Sequence, residues 1–293
     1  MKSLLRDIWR SRLAYLFVAP ALILVLAIRF YPTLDAFHLS LYDMHLGRPT
    51  RFVGLANYAG LLSDQRLIGD LWVTLMFTVS SVVLSFGLGF LFALLLWRAG
   101  RGFTFFRTVL FLPYVIALIV VALMWRWLLD PVQGLLNYLL VFAGFSPVAF
   151  LSLPITAFWA LVAVAVWNLY PFPMILLLAG LTAIPQELYA AARVDGVGAW
   201  QQFRDITLPL LRPTLFITLT MVTLFALYAV DIPFALTGGG PVNSTEVLGV
   251  RLYIEAFQYF NRGYASAIGV LVLAINTVLV VGYGRIFRSK VYY

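Results

Sequence analysis

The sequence predicts an all-α polytopic membrane protein with six transmembrane helices, and three observations carry that prediction. Of its 293 residues 63% are hydrophobic and 11% are charged, about half the charge of an ordinary soluble domain. The apolar residues gather in stretches long enough to cross a bilayer, and basic residues flank most of them. No cysteine is present, which excludes disulfides, thiolate chemistry and cysteine metal sites.

Residues 1–12 form a short basic tail, with Lys2, Arg6, Arg10 and Arg12 against Asp7. Leu13 to Tyr31 is apolar apart from Arg29, whose long stem lets its charge reach an interface. It contains Pro20 and lacks a small-residue cleavage site, so it reads as an uncleaved first span. Residues 32–70 are polar and hold both histidines, His38 and His45, in a loop pattern that fits solvated surface better than a metal pair. Leu71 to Trp97 has no charge and is the second span. Arg98, Arg101 and Arg107 make the next loop basic, and Phe103 to Trp125 follows as a third span that Pro113 is expected to kink.

No charged residue occurs from Pro131 to Gln186. Gly134, Asn137, Gly144 and Pro147 interrupt the first part, which is expected to form a hairpin or short amphipathic helix. Leu153 to Leu181, bent by Pro171 and Pro173, is then the fourth span. Thr214 to Leu236 is the fifth, with Asp231 and Pro233 near its far end, and Tyr264 to Gly284 is the sixth. The six-span domain thus covers 13–293.

Between the fourth and fifth spans lies Pro185 to Pro213, PQELYAAARVDGVGAWQQFRDITLPLLRP, a long polar interruption that does not read as a floppy loop. Pro185 and Glu187 suit a helix start, and Leu188 to Val194 is a good helix former. Gly196 ends that helix, since only glycine enters the left-handed region freely. A second short helix is expected to carry Trp200 and Phe203 on one face and to close at Pro209 and Pro213. Such an element offers a rigid surface to a partner; the plainer alternative is a helix lying on the bilayer.

Here the pattern Ala190-Ala191-Ala192, three residues, Gly196, nine residues, Ile206, one residue, Leu208-Pro209 resembles the EAA loop of ABC importer permeases. IPQELYAAARVDG and WQQFRDITLPLL are similar to the carbohydrate branch, of maltose and glycerol-phosphate type, as are FVGLANY after the first span and TGGGP after the fifth. The likeness runs from about residue 10 to about 288. It implies an ABC type I importer permease fold, in which this loop is the helix that docks into the ATPase subunit. By that likeness the coupling residues are Glu187, Ala190, Ala191, Ala192, Asp195, Gly196, Ile206, Leu208 and Pro209. The acid that names the motif is replaced by Ala190, with Glu187 one turn earlier. The implied partners are a second homologous permease, two cytoplasmic ATPases that hold ATP and Mg, and an extracytoplasmic binding protein, with no cofactor in this chain. The KVYY ending suits the first rather than the second permease of such a pair.

The basic 98–107 loop and the 185–213 element belong on one side, which requires an even number of crossings between them. Together with both termini that side holds 13 Lys/Arg against 7 on the other, so the termini and both loops are expected to be cytoplasmic, in a bacterial-type inner membrane. Only Lys2 and Lys290 are lysines, and neither follows a glycine-rich loop, so no P-loop can bind ATP here. No basic cluster suits nucleic acid. The lone acid expected within a span is Asp231. A sugar path needs aromatic faces and hydroxyl-binding amides or carboxylates. Trp167, Asn168, Tyr170, Tyr228, Asp231 and Asn276 fit that chemistry, although each alone fits interface anchoring or helix packing as well. The alternative reading is a stand-alone secondary carrier or channel, which would carry discontinuous spans and buried ionisable groups at mid-membrane; the sequence displays few.

Overall fold

The computed structural model describes residues 12–46, 50–97 and 101–286. The N-terminal basic tail up to residue 11, residues 98–100 and the C-terminal basic end from 287 therefore lie outside the described residues. The chain divides into two compact units, Met1–Ser63 with Ile254–Leu271 and Asp64–Tyr253 with Val272–Tyr293.

The first unit opens with a rod made of α1 (Arg12–Val25), a π turn (Leu26–Phe30) and α2 (Tyr31–Leu39). Its span, Leu16–Leu39, runs past the expected end at Tyr31 because Pro32 does not break it. The Tyr31 amide donates to the Leu26 carbonyl, one residue further back than an α-helix allows. A π turn leaves one rung of the ladder vacant, and a proline, having no N–H, is best tolerated at such a vacancy. A two-stranded antiparallel hairpin, β1 (Tyr42–Asp43) and β2 (Arg51–Phe52), precedes α3 (Ala56–Ser63). FVGLANY holds it together. Gly54 turns the chain at φ +56°, and Asn57 Nδ2 donates to the carbonyls of Ser40 and Tyr42 at 2.8 and 2.9 Å. The His45 ring pairs with the Asp43 carboxylate at 2.8 Å, and the His38 ring lies on Tyr42.

The second unit begins with α4 (Gln65–Leu96), which starts before the expected Leu71 because the Asp64 carboxylate caps it, accepting from the amides of Arg66 and Leu67. The third span is not one kinked helix. It is α5 (Arg101–Val115) and α6 (Leu118–Leu128), with a 94° bend between them. Helix begins at Arg101, so Arg107 sits on α5 rather than in a loop, and its guanidinium caps the Leu96 carbonyl at the end of α4. The short helix expected next is α7 (Leu135–Phe142). In the turn before it, the amides of Gln133 and Val132 hold the Asp130 carboxyl below the usual carboxylate range. The fourth span is α8 (Pro154–Leu169) and α9 (Pro171–Thr182), joined at Tyr170, with its prolines at the start of α9 where their missing N–H costs little.

The polar element follows as α10 (Gln186–Val194), α11 (Ala199–Gln202) and a π turn (Phe203–Thr207), and then α12 (Leu208–Leu227). Pro209 and Pro213 do not close the second short helix, contrary to the sequence expectation. The chain stays helical into the fifth span, and the device seen at Pro32 recurs: the Leu208 amide donates to the Phe203 carbonyl just before Pro209. The fifth span breaks instead at Tyr228–Val230 and resumes as α13 (Asp231–Thr237). After the TGGGP turn comes α14 (Leu248–Tyr253); a π turn (Ile254–Gln258) and the start of α15 (Arg262–Ile286), the sixth span, then belong to the first unit, and α15 from Val272 to the second.

The core of this unit lies where α4, α9 and α12 meet, around Ala93, Leu177, Leu181 and Leu211, all fully buried. Glycine sets how closely α4 approaches. A Cβ at Gly89 would sit 2.8 Å from the Met174 backbone nitrogen and 2.9 Å from the Tyr170 carbonyl oxygen, neither of which can swing away. Gly89→Ala should therefore cost about 2 kcal/mol. On the same helix, Gly87→Ala should be neutral or stabilising, because nothing lies within 4 Å of its Cβ position. Thermal unfolding in detergent should show a lower midpoint for the first variant only.

Candidate functional sites

The helical element after the fourth span is built to be rigid. Helix α10 ends in a paired cap: the Gly196 amide donates to the Arg193 carbonyl at 3.1 Å, and the Val197 amide to the Ala192 carbonyl at 2.9 Å. That geometry needs the φ of +73° that Gly196 adopts. Tyr189 and Ala192 form the buried side of α10. The Tyr189 hydroxyl pairs with Thr207 Oγ1 at 2.9 Å, and its ring stands edge-on to Trp97. Gln202 Nε2 reaches back to the Val197 carbonyl, and Trp200 stacks on Phe203. Glu187, Ala190, Ala191, Asp195 and Gly196 stay exposed, while Ile206, Leu208 and Pro209 are half-buried where the element joins α12. Val194 and Trp200 are 88% and 70% exposed, so the held element presents apolar side chains to its surroundings.

A second site forms between the broken spans. The α5–α6 break and the α12–α13 break line one cavity of about 530 Å³, together with α4 and α8. Its polar residues are Ser81, Tyr114, Asn168, Tyr228 and Asp231. Of the six residues expected from sequence to form a path, three line it: Asn168, Tyr228 and Asp231. Asn168 also serves the break, since its Nδ2 donates to the Pro113 carbonyl at 2.7 Å. The other three do not line it. Tyr170 spends its hydroxyl on the Leu110 carbonyl at 3.0 Å, and Trp167 packs edge-on against Trp125. Asn276 is buried with neither amide atom paired, a costly arrangement in an apolar medium. Ser81 escaped sequence reasoning because one serine on an apolar helix carries no signal. Its hydroxyl is fully buried and unpaired at the cavity wall.

A third cluster was also missed. Asp64, Arg66, Asp70, Glu246 and Arg251 converge near the start of α4. Arg66 Nη2 meets Glu246 at 2.7 Å, and Arg251 meets Asp64 at 3.1 Å and Glu246 at 3.7 Å. Asp70, Glu246 and Arg251 are buried. Asp231 is therefore not the lone acid within a span, because Asp70 lies in α4. The cluster fastens the loop after TGGGP to α4. There Thr245 Oγ1 donates to the Gly240 carbonyl, and the Leu248 amide donates to Thr74 Oγ1 at 2.8 Å. The partners are some 180 residues apart in sequence, and no local pattern announces them.

Residues 85–291 match the family described as binding-protein-dependent transport system inner membrane component. The chain belongs to that family. The permease is 38% identical over 284 residues to the trehalose/maltose transport system permease protein MalF of Thermococcus litoralis, covering 96% of this chain and 95% of that one. It is 35% identical to the sn-glycerol-3-phosphate transport system permease protein UgpA of Agrobacterium fabrum, with 96% of each covered. Its fold matches a solved bacterial ABC transporter involved in importing the acidic polysaccharide alginate, with a TM-score of 0.85 at 24% identity, over 99% of this chain and 100% of that one. The permease is thus an importer's membrane component rather than an enzyme. Discontinuous spans, with buried ionisable groups at mid-membrane, were expected to mark a stand-alone carrier, yet this permease has the discontinuous spans. The criterion fails because any span may break where side chains satisfy the freed backbone groups.

Removing one member of the ionic cluster should be severe. Arg251→Gln leaves Glu246 and Asp64 short of a cation and should cost about 3 kcal/mol. It should also open residues 238–247 to limited proteolysis. Arg204→Gln, which breaks the exposed pair of Arg204 with Asp205, should change neither readout.

Proposed function

We propose that this permease forms half of the membrane path of an ABC importer for a sugar, and that the 185–213 element couples it to ATP hydrolysis. The observation that carries the coupling role is the α10–α11 element. It is capped at Gly196, pinned through Tyr189 to the foot of α12, and apolar where it is exposed at Val194 and Trp200. A push on that surface passes into α12 and hence into the broken fifth span. Two ATPase subunits, which hold ATP and Mg, would grip this element and its counterpart on a second homologous permease. A binding protein would deliver the sugar on the opposite side. The sugar assignment is supported by the cavity, which combines aromatic rings with hydroxyl, amide and carboxylate groups, and by the similarity to a trehalose/maltose permease.

In the assembled transporter, Gly196→Leu should abolish uptake and substrate-stimulated ATP hydrolysis while the protein stays in the membrane. No atom of this chain lies within 4 Å of the added Cβ position, so within the chain the cost starts with the backbone, about 1–2 kcal/mol in the left-handed region. Gly196→Asn, which tolerates that region, should retain most activity, and Ala190→Glu should be tolerated. Normal transport by Gly196→Leu would sink the coupling role.

Orientation is proposed from the 13-to-7 distribution of Lys/Arg, with the 185–213 element cytoplasmic. Single cysteines at Ser63, Ser146 and Gln201, all exposed, can be introduced into this cysteine-free chain. An impermeant thiol reagent added to intact cells should label the first two and not the third. Labelling at Gln201 would invert the topology.

A further inference from the structure

We infer that this permease's wall of the path admits neutral polyhydroxylated ligands and rejects anionic ones, with Asp231 as the discriminating residue. The inference rests on reading the cavity as the sugar path and adds the charge class of its ligand. Among the described residues lining the cavity there is one carboxylate, Asp231, and no lysine, arginine or histidine. Recognition of a phosphate, sulfonate or uronate calls for charged or dipolar donors, most often arginine or lysine. Here the only formal charge has the wrong sign, and like charges brought together in a partly desolvated site repel strongly.

The remaining groups suit hydroxyls. A sugar hydroxyl both donates and accepts, so its site needs both functions. Broken helices supply both. Ala117 and Leu118, the cap and first residue of α6, are in the wall, so first-turn amides without an intrahelical partner lie at the cavity. Across the second break, Tyr228 follows the end of α12, where carbonyls lack intrahelical partners, and lines the cavity too. The Ser81 hydroxyl, buried and unpaired, adds a group able to act either way. The one helix start of sufficient length favours negative charge, but a helix end and the Asp231 carboxylate offset it. A cationic ligand would use the carboxylate and the rings of Phe77, Tyr114 and Phe225, but it would leave the Ser81 hydroxyl and the α6 amides without acceptors. A neutral polyol uses all of them.

The test uses three probes of one skeleton: trehalose, trehalose 6-phosphate and 6-amino-6-deoxytrehalose. Saturation-transfer NMR on the detergent-solubilised assembled transporter, without binding protein, reads weak contact directly. Trehalose should bind at least about tenfold better than its phosphate. Asp231→Asn should bring the two within about threefold, with trehalose binding retained. Asp231→Arg should reverse the preference, and the Asn variant keeps the test valid if the Arg variant does not assemble. Equal binding of trehalose and its phosphate by the unaltered protein would overturn the inference, as would preference for the amine or indifference of the ratio to Asp231→Asn. A response to none of the three would instead overturn the sugar reading itself, and this inference with it.

Discussion

Every backbone amide and carbonyl in a bilayer must find a partner within the protein, and the architecture of this permease follows from how that requirement is met where its helices break. An unbroken helix satisfies the requirement by itself. This chain breaks its third span at 116–117 and its fifth at 228–230, and places side chains from elsewhere to repair the damage. Asn168 and Tyr170, at the hinge of the fourth span, supply donors to the carbonyls of Pro113 and Leu110. At two of the prolines within continuous rods, Pro32 and Pro209, a π turn comes just before and aligns the vacant rung with the missing N–H. The same constraint thus permits breaks in some places and continuity in others.

Those repairs make the cavity. A helix that stops inside the membrane exposes a few polar backbone groups, and two stops side by side concentrate them in one enclosed space. Rigid packing keeps the space open and its wall fixed. Gly89 lets α4 lie against the α8–α9 junction, and Leu177, Leu181 and Leu211 fill the interface between α9 and α12. Motion imposed on α12 at its foot, where Tyr189 is bonded to Thr207, therefore has a direct mechanical route to the fifth-span break.

The ionic cluster at the start of α4 answers a different need. The TGGGP loop turns through residues with positive φ, Gly238, Gly239, Val242 and Asn243, and has little apolar area to hold it. Arg66, Arg251, Glu246 and Asp64 supply the attachment electrostatically. Because Glu246 and Arg251 are buried, the four are useful as a set, since a lone buried charge is far costlier than none.

Composition alone determined that this is a polytopic helical membrane protein, since 63% hydrophobic residues in long runs cannot be buried in a soluble core of this size. Local signals also marked the α10 helix and its end at Gly196, because a left-handed cap needs glycine wherever the helix lies. What stayed hidden depended on distance. Pro113 suggested a kink, but the helix runs through it and breaks at 116–117, and the side chain that pairs with the Pro113 carbonyl left free by that break, Asn168, is 55 residues away. Pro209 seemed to close a helix and does not, since the ladder slips ahead of it. Three of six expected path residues line the cavity, while Trp167 packs on Trp125 and Tyr170 bonds the Leu110 carbonyl. A tryptophan or asparagine has the same composition in either role, and only the neighbours brought to it by the tertiary structure decide between them.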